Sequence, residues 1–165
     1  MSPEFDPSVE NQRVYRDALG CFATGVTVIT VPTASGPLGM TANSFSSISL
    51  DPPLVLWSPA KNSQRYPFFS AAKNFAIHVM REDQLELALE FSRRGDAFDQ
   101  VNWTCDHYGV PLIEDCLARF ECSTHAIHEG GDHAIIVGEV TKVALNSGHP
   151  LVFAQRAYGS FKPHG

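Results

Sequence analysis

The sequence predicts a mainly β fold with peripheral helices, either an antiparallel barrel or a sandwich. Short segments rich in β-branched and aromatic residues follow one another along the chain, with few helical segments between them. Two long strand-like segments, residues 117–128 and 133–145, are joined by Glu129-Gly130-Gly131-Asp132, which is a strong hairpin signal. Sequential strands of this kind favour an antiparallel sheet over a doubly wound parallel one.

The first half of the chain is divided by clear helix and turn signals. Asp6 can cap a first helix, Pro7 suits its first position, and apolar residues then recur at helical spacing up to Phe22. The turn at residues 33–37 and the prolines of Asp51-Pro52-Pro53 interrupt the strand pattern. Strands are therefore predicted at residues 26–31, 40–50 and 54–57, followed by a short helix at residues 66–72.

The second half contains one helix, one long loop and the hairpin. A strand is predicted at residues 75–80, a helix at residues 82–92 and a last strand at residues 151–154. Residues 93–111 show no regular pattern and carry Trp103 and Tyr108. An irregular stretch of that length is typical of a functional loop or lid.

Length and charge limit the classes to which the protein can belong. With 165 residues the chain is expected to be one domain, residues 1–165. Twelve Lys and Arg against 18 Asp and Glu give a net charge of −6, which argues against a nucleic-acid partner. No apolar run approaches the roughly 20 residues that cross a bilayer, and no signal peptide pattern is present. We therefore expect a cytoplasmic protein without a membrane partner.

Cysteine and histidine give no metal-site pattern. The cysteines contain no CxxC pair, and a strand would place His125 and His128 on opposite faces. We therefore expect free thiols packed as small hydrophobic groups and no metal site.

Small polar residues interrupt the strand predicted at residues 40–50. Thr41, Asn43 and Ser44 supply hydrogen-bond donors and acceptors, and the small side chains around them allow a ligand to approach the backbone. An exposed edge strand with a solvated face explains the same pattern equally well.

Two further segments could contact a ligand. Residues 58–65 lie between a strand and a short helix, where backbone N–H groups can bind an anion and Lys61, Ser63 and Arg65 add charge and a hydroxyl. Capping by Ser63 alone is the simpler alternative. In Gly130-Gly131-Asp132-His133, the histidine begins a strand, although a lone histidine at a hairpin end is usually structural or solvated.

The motifs of several other enzyme classes do not occur in the sequence. It has no GxSxG elbow for acyl transfer, no GxxxxGK[ST] phosphate loop, and no GxGxxG between a strand and a helix. No pair of carboxylates stands out for acid–base catalysis.

Three motifs in order and at consistent spacing carry a family resemblance. They are residues 21–30, residues 37–56, which include Met40-Thr41-Ala42-Asn43-Ser44, and residues 131–140, which begin with Gly131-Asp132-His133. Together with the strand at residues 150–153, they resemble the flavin reductase family that serves two-component flavin monooxygenases. The resemblance extends from about Phe22 to Tyr158 and implies an FMN-binding split β-barrel.

The resemblance also implies the site residues. The Met-Thr-Ala-Asn-Ser segment would lie along the isoalloxazine, and the loop after the next strand would hold the ribityl chain and phosphate. His133 would face the nicotinamide as the catalytic residue, bordered by Tyr158, while Phe91 and Ser92 would lie near the flavin of the partner subunit. The implied cofactor-binding residues are Met40, Thr41, Ala42, Asn43, Ser44, Ala60, Lys61, Asn62, Ser63, Phe91, Ser92, His133 and Tyr158.

The implied function is NAD(P)H-dependent reduction of FMN or FAD by a homodimer that supplies reduced flavin to a separate monooxygenase. We expect His133 to orient the nicotinamide and not to transfer protons. The alternatives are a non-enzymatic flavin- or haem-binding split-barrel protein and an amine oxidase of the pyridoxamine-phosphate type, which would need a cationic phosphate pocket. The chain departs from the family where His78 replaces a frequent Asn, Trp57 replaces a smaller residue, and Ala157 separates Arg156 from Tyr158.

Overall fold

The structure, a computed structural model, describes residues 4–164 and consists mainly of strands. None of the helices among these residues is long and apolar enough to cross a membrane. The helices are α1 (Gln12–Gly20), α2 (Tyr66–Ala71) and α3 (Leu85–Arg93), with 3₁₀ turns at Glu82–Gln84 and Ala97–Gln100. The strands are β1 (Thr24–Gly25), β2 (Thr27–Thr33), β3 (Gly36–Ala42), β4 (Ser46–Leu50), β5 (Pro53–Trp57), β6 (Asn74–Val79), β7 (Trp103–Cys105), β8 (Pro111–Ile113), β9 (Ala118–Gly130), β10 (His133–Leu145), β11 (Leu151–Ala154) and β12 (Ala157–Ser160).

A seven-stranded antiparallel sheet in the order β3-β2-β6-β9-β10-β5-β4 forms the body of the protein. The long strands β9 and β10 form the predicted hairpin, and its turn uses Gly131 at a φ of 79°, a conformation that glycine adopts without strain. The edge strands β3 and β4 are consecutive in the chain and are joined by residues 43–45. A link of this length spans at most about 15 Å, so the sheet must curl until its two edges approach each other.

The curled sheet encloses one hydrophobic core, here called the inner core. Its side chains come from both halves of the sheet and from α2, and Trp57 packs edge to face on Phe69 with the ring centroids 5.1 Å apart. The buried members of the inner core are Ile29, Val31, Val55, Trp57, Phe69, Phe75, Ile77, Cys122 and Ile136.

A second core, the outer core, lies between β2 and α3. Val26 and Val28 point into it while Ile29 and Val31 point into the inner core, so β2 is covered on both faces. This double burial explains why residues 27–31 are all buried and why their sequence is rich in β-branched residues instead of alternating between apolar and charged ones. The other buried members are Met80, Leu87, Ala88, Phe91, Ala97, Phe98, Ile113, Cys116 and Leu151, with Trp103 packed at the edge.

Several predicted boundaries are wrong in detail. The first helix begins at Gln12, because the Asp6 carbonyl accepts hydrogen bonds from the Ser8 N–H and the Asn11 side chain in a turn that precedes it. The strand predicted at residues 40–50 is two strands, because residues 43–45 leave the ladder. The irregular stretch contains β7, which pairs with β8 at its end, and near the C-terminus β12 pairs antiparallel with β11. The sequence does not predict β7, β8 and β12, because strands of three or four residues carry too little periodicity.

The small β7–β8 hairpin packs on the outside of the main sheet and is held there by a buried histidine. The Ile113 N–H donates to Nε2 of His78 at 3.0 Å, so Nδ1 carries the proton and donates to the Val28 carbonyl at 3.0 Å. The pKa of His78 falls to about 3, mainly because burial disfavours the charged imidazolium; the hydrogen bond to Val28 opposes this shift, and the positive charge of Arg119 adds to it. The imidazole is therefore neutral, and it links three strands.

This burial predicts a stability loss in acid. The unfolded chain binds a proton at His78 below its ordinary pKa of 6.5, whereas the folded chain does so only near pH 3. The free energy of unfolding should therefore fall as the pH decreases from about 6.5 towards 3, by up to about 1.4 kcal/mol per pH unit from this group.

Urea unfolding at several pH values measures this slope in the natural chain and in His78→Gln, which cannot titrate. We expect a shallower slope in the variant, whatever its stability at neutral pH. Equal slopes would contradict the assignment. His125→Gln is the control, because this side chain is half-exposed on β9.

Candidate functional site

Four chain segments that are distant in sequence meet around one open cavity of about 370 Å³. These are the end of β3 with the link to β4, the loop between β5 and α2, the end of α3, and the start of β10. The cavity is lined by Met40, Thr41, Ala42, Asn43, Ser44, Ser58, Pro59, Ala60, Ser63, Arg65, Ser92 and His133. Most of these side chains are small, and half are small and polar, so a flat ligand can lie against the backbone.

The link between β3 and β4 is fixed by Ser44. Its Oγ accepts a hydrogen bond from the Ser58 N–H at 2.9 Å and lies 3.3 Å from the Ser58 carbonyl oxygen. Thr41 is tied to α3, because its hydroxyl donates to the Ala88 carbonyl at 2.6 Å. These contacts hold the cavity wall rigid without a large side chain.

The loop after β5 presents donors to the same cavity. The Lys61 N–H donates to the Asp132 carbonyl at 2.9 Å, and the Ala134 N–H donates to the Pro59 carbonyl at 3.1 Å, which anchors the loop to β10. Among residues 4–164, no group accepts from the N–H groups of Ala60, Asn62 or Gln64. Unpaired N–H groups in one loop can bind an anion.

Arg65 connects this loop to two other elements. Its Nη1 donates to the carbonyls of Gly39 at 3.0 Å and Phe91 at 2.6 Å, and its Nη2 donates to the Ser92 carbonyl at 2.9 Å. Burial lowers the pKa of Arg65 from its ordinary value. The guanidinium thus joins β3 and the end of α3 to the loop, and its side chain also forms part of the cavity wall.

His133 stands at the start of β10, opposite the loop. Its Nδ1 lies 2.8 Å from the Asp132 carboxylate, which can hold the imidazole in one orientation. This hydrogen bond lowers the pKa of Asp132, so the carboxylate stays ionised to lower pH than usual. Ala60 forms a β-bridge with His133, which fixes the distance between the histidine and the loop.

A smaller cavity of about 190 Å³ adjoins the first, since both are lined by Thr41, Ala42, Asn43 and Ser92. Val26, Phe153 and Tyr158 complete it, and the rings of Phe153 and Tyr158 lie 4.9 Å apart. The three-stranded sheet β1-β11-β12 therefore brings Tyr158 to the edge of the main cavity.

The structure thus brings ten of the thirteen predicted site residues to these two cavities, but it places three elsewhere. The Phe91 side chain is fully buried in the outer core. Its ring packs against Gly39 so closely that any side chain at position 39 would place its Cβ within 2.6 Å of it. The Lys61 ammonium pairs with Glu129 and the Gly131 carbonyl, and Asn62 is exposed. For these three, the backbone and not the side chain lies near the site.

Comparison with known proteins identifies the family. Residues 19–162 match the model of the family described as flavin reductase like domain. The chain belongs to this family. It is 57% identical over 157 residues to FMN reductase (NADH) SmoA of Agrobacterium fabrum, covering 95% of this chain and 90% of that protein.

Two further relatives extend the comparison. The reductase component of the flavin-dependent trigonelline monooxygenase of Acinetobacter baylyi is 46% identical over 81% of this chain, which spans only 44% of that relative. The NADH:FAD oxidoreductase SgcE6 of Streptomyces globisporus, solved in complex with NAD and FAD fragments, superimposes with a TM-score of 0.90. It is 37% identical, and the alignment covers 98% of each chain.

The flavin reductase family accounts for the fold. The resemblance predicted from the three motifs is confirmed, and so is the mainly β architecture, since the solved neighbours share the split-barrel-like fold. The cavity also fits a flavin, because small side chains line the wall for a planar ring and unpaired N–H groups lie in the adjoining loop for a phosphate.

Five residues that line the two cavities were not among the predicted binding residues: Val26, Ser58, Pro59, Arg65 and Phe153. Ser58 and Pro59 directly follow a predicted strand, which is a signal that could have included them. Arg65 was considered only as a positive charge for an anion, and no local pattern indicates that it binds three carbonyls.

The carbonyl contacts of Arg65 predict a loss of both stability and flavin affinity on substitution. Arg65→Lys cannot reach all three carbonyls with one ammonium, so the free energy of unfolding should fall by about 1–3 kcal/mol. FMN binding, measured by quenching of flavin fluorescence, should weaken about tenfold because the loop loses its anchor. Arg93→Lys is the control, since Arg93 is exposed and pairs only with Glu90, and its change should stay within about 0.5 kcal/mol. Equal effects in the two variants would contradict the role given to Arg65.

Proposed function

We propose that this chain catalyses hydride transfer from NADH or NADPH to FMN or FAD and supplies the reduced flavin to a separate monooxygenase. The observation that carries the proposal is the meeting of residues 40–44, the loop at residues 58–65 and His133 around one cavity. The names of the relatives, an NADH-dependent FMN reductase and a monooxygenase reductase component, agree with this enzyme class. NADH and NADPH are supplied in the cytoplasm, where we place the protein.

The protein's contribution to the reaction is positioning. Bound flavin supplies the hydride acceptor and the nicotinamide supplies the hydride. The backbone along Met40 to Ser44 forms the surface for the flavin ring, with Thr41, Asn43 and Ser44 as polar groups at its edge. Holding two rings at reacting distance makes the transfer effectively unimolecular, so no acid–base triad is required.

The loop after β5 supplies hydrogen-bond donors for the flavin phosphate, although the net charge of −6 would repel an anion. The N–H groups of Ala60, Asn62 and Gln64 are unpaired within the described part of the chain, and the Ser63 hydroxyl can donate while its oxygen accepts from the Arg65 N–H. Lys61 lies in the same loop but is neutralised by Glu129, so backbone N–H groups provide most of the binding.

His133 orients the nicotinamide. Asp132 holds Nδ1, which leaves Nε2 to contact the carboxamide or ribose. Tyr158 and Phe153 line the adjoining smaller cavity, which offers an apolar surface next to the flavin edge. A protein that only stores flavin or haem would need neither feature, and the relatives' names give no support to that alternative.

The direct test is the oxidation of NADH and NADPH by the purified chain, followed by absorbance, with and without FMN, FAD or riboflavin. We expect oxidation that depends on added flavin and reduced flavin that leaves the protein. Flavin binding without nicotinamide oxidation would instead establish the non-enzymatic alternative.

Replacing His133 separates binding from chemistry. His133→Ala should raise the KM for the nicotinamide nucleotide about tenfold, because an orienting contact is lost, and should leave the KM for FMN nearly unchanged. His125→Ala is the matched control, since this histidine lies on the neighbouring strand and pairs with Glu139 outside the cavity. An unchanged nicotinamide KM in His133→Ala would refute the role.

We also propose that the chain works as a homodimer. The helix α1 buries no side chain within the chain, although Val14, Tyr15 and Leu19 lie on one side of it and Phe22, which is 80% exposed, follows. An apolar stripe of this kind is stabilised when a second copy covers it. The resemblance, which places Ser92 near the flavin of the partner subunit, also requires a second copy.

Substitution on α1 tests the dimer. Leu19→Glu places a charge in the apolar stripe, so light scattering should give the 18.1 kDa mass of one chain instead of twice that mass, with weaker FMN binding. Arg13→Glu, on the opposite side of α1, should leave the mass unchanged. A natural chain of 18.1 kDa that still binds FMN would contradict the proposal.

A further inference from the structure

A cavity that shares no lining residue with the flavin site lies on the outside of the main sheet. Its volume is about 470 Å³, which exceeds the 370 Å³ of the flavin cavity. Residues from β6, β9 and β10 form its floor and walls, and the turn between β7 and β8 forms its roof. This turn belongs to the stretch whose sequence is typical of a functional loop, and flavin reduction gives it no role.

An ion pair between Arg119 and Glu121 forms the floor of this cavity, and each side chain has one polar atom without a hydrogen-bond partner among the described residues. Arg119 and Glu121 lie two residues apart on β9, and their side chains are only 20% and 10% exposed. Both Nε and Nη2 of Arg119 donate to the same oxygen, Oε1 of Glu121, at 3.3 and 3.1 Å. Within residues 4–164, neither Oε2 of Glu121 nor Nη1 of Arg119 has a hydrogen-bond partner.

Arginine–carboxylate pairs are frequently two-pronged, with both carboxylate oxygens in use. Here Oε2 of Glu121 and Nη1 of Arg119 remain available to another molecule in the cavity. Because the two side chains are mostly buried, a ligand that contacts both groups would form charge-assisted hydrogen bonds partly shielded from water.

The walls of the cavity add a second pair of opposite charges. Lys142 on β10 is exposed and forms no ion pair among the described residues. In the roof, Oδ1 of Asp106 accepts the N–H groups of Tyr108 and Val110, both at 2.8 Å, which fixes the carboxylate over the floor. Its Oδ2 is without a donor in the described part of the chain. The cavity thus contains two cations and two anions.

We propose that this cavity binds a small zwitterion, a molecule with a carboxylate and a cationic nitrogen a few ångströms apart. Nη1 of Arg119 and the Lys142 ammonium would bind the carboxylate. Oε2 of Glu121 and the Asp106 carboxylate would bind the cationic nitrogen, and the exposed ring of Tyr108 offers it an aromatic face.

Ligands with a single charge fit less well. A simple anion would contact the two cations but would be repelled by the two carboxylates beside them. A simple cation would contact the two carboxylates but would be repelled by Arg119 and Lys142. A neutral ligand would bring no charge to pair with Arg119 and Glu121 of the floor. Only a ligand carrying both signs pairs with every group.

Nuclear magnetic resonance titration of the full chain without flavin or nicotinamide tests this site independently of the proposed enzyme activity. The probe is glycine betaine, compared with acetate and tetramethylammonium at equal ionic strength. We expect saturable shifts of the backbone amides at residues 105–108, 119–123 and 141–142 with glycine betaine only.

Variants of the charged groups complete the test. Glu121→Gln should weaken betaine binding about tenfold, and Lys142→Gln about threefold. Because Lys142 is on the surface, Lys142→Gln should fold normally even if the buried substitution does not. Lys73→Gln, a surface lysine outside the cavity, should bind like the natural chain. Equal shifts with acetate or tetramethylammonium, or unchanged binding in Lys142→Gln, would overturn the proposal.

Discussion

The pairing of β9 with β10 is the constraint on which the rest of the structure depends. These strands pair with each other over most of their length, and each also carries one flank of the sheet, β6 on β9 and β5 on β10. Their register therefore decides which side chains of both flanks face the inner core. The turn of the same hairpin carries His133, and its outer face carries Arg119 and Glu121, so both cavities depend on it.

Two features of the hairpin allow this dual use. Interruptions of the register at residues 137–138 and 140–142 let the strands bend with the curled sheet. Any other residue at position 138 would place its Cβ within 2.6 Å of the Phe75 ring and 3.0 Å of the Cys122 Cβ. Only glycine therefore lets β10 approach the inner core this closely. The bend thus comes from the backbone, and the side chains remain free to serve the two faces.

The sequence predicts the parts of the fold that local patterns determine. The two glycines of the β9–β10 turn and the run of β-branched residues in β2 are local signals, and both elements are present. The predicted start of α1 is wrong because Asp6 and Pro7 resemble a helix start, whereas the Asp6 carbonyl accepts hydrogen bonds in a turn that precedes the helix. The sequence cannot tell that β2 is buried on both faces, since that depends on α3, which follows more than fifty residues later.

In the candidate site, too, the sequence predicts what local motifs determine and misses what depends on contacts between distant segments. Residues 40–44 and His133 were recognised from small polar patches and a resemblance, and the cavity brings them together. The role of Phe91 rests on the resemblance alone, and the structure buries its ring in the outer core. The sequence suggests a phosphate contact for Arg65, yet its partners are three carbonyls that no local spacing connects to it.

The placement of the two tryptophans has a spectroscopic consequence. Trp57 is buried in the inner core against Phe69, whereas Trp103 lies at the edge of the outer core beside Phe98, with ring centroids 5.2 Å apart. Each core therefore contains its own fluorophore. In a variant that retains only Trp57, tryptophan fluorescence would report on the loss of the barrel interior. In one that retains only Trp103, it would report on the release of the β7–β8 hairpin. A common midpoint of the two unfolding transitions would mean that the two cores unfold as one cooperative unit.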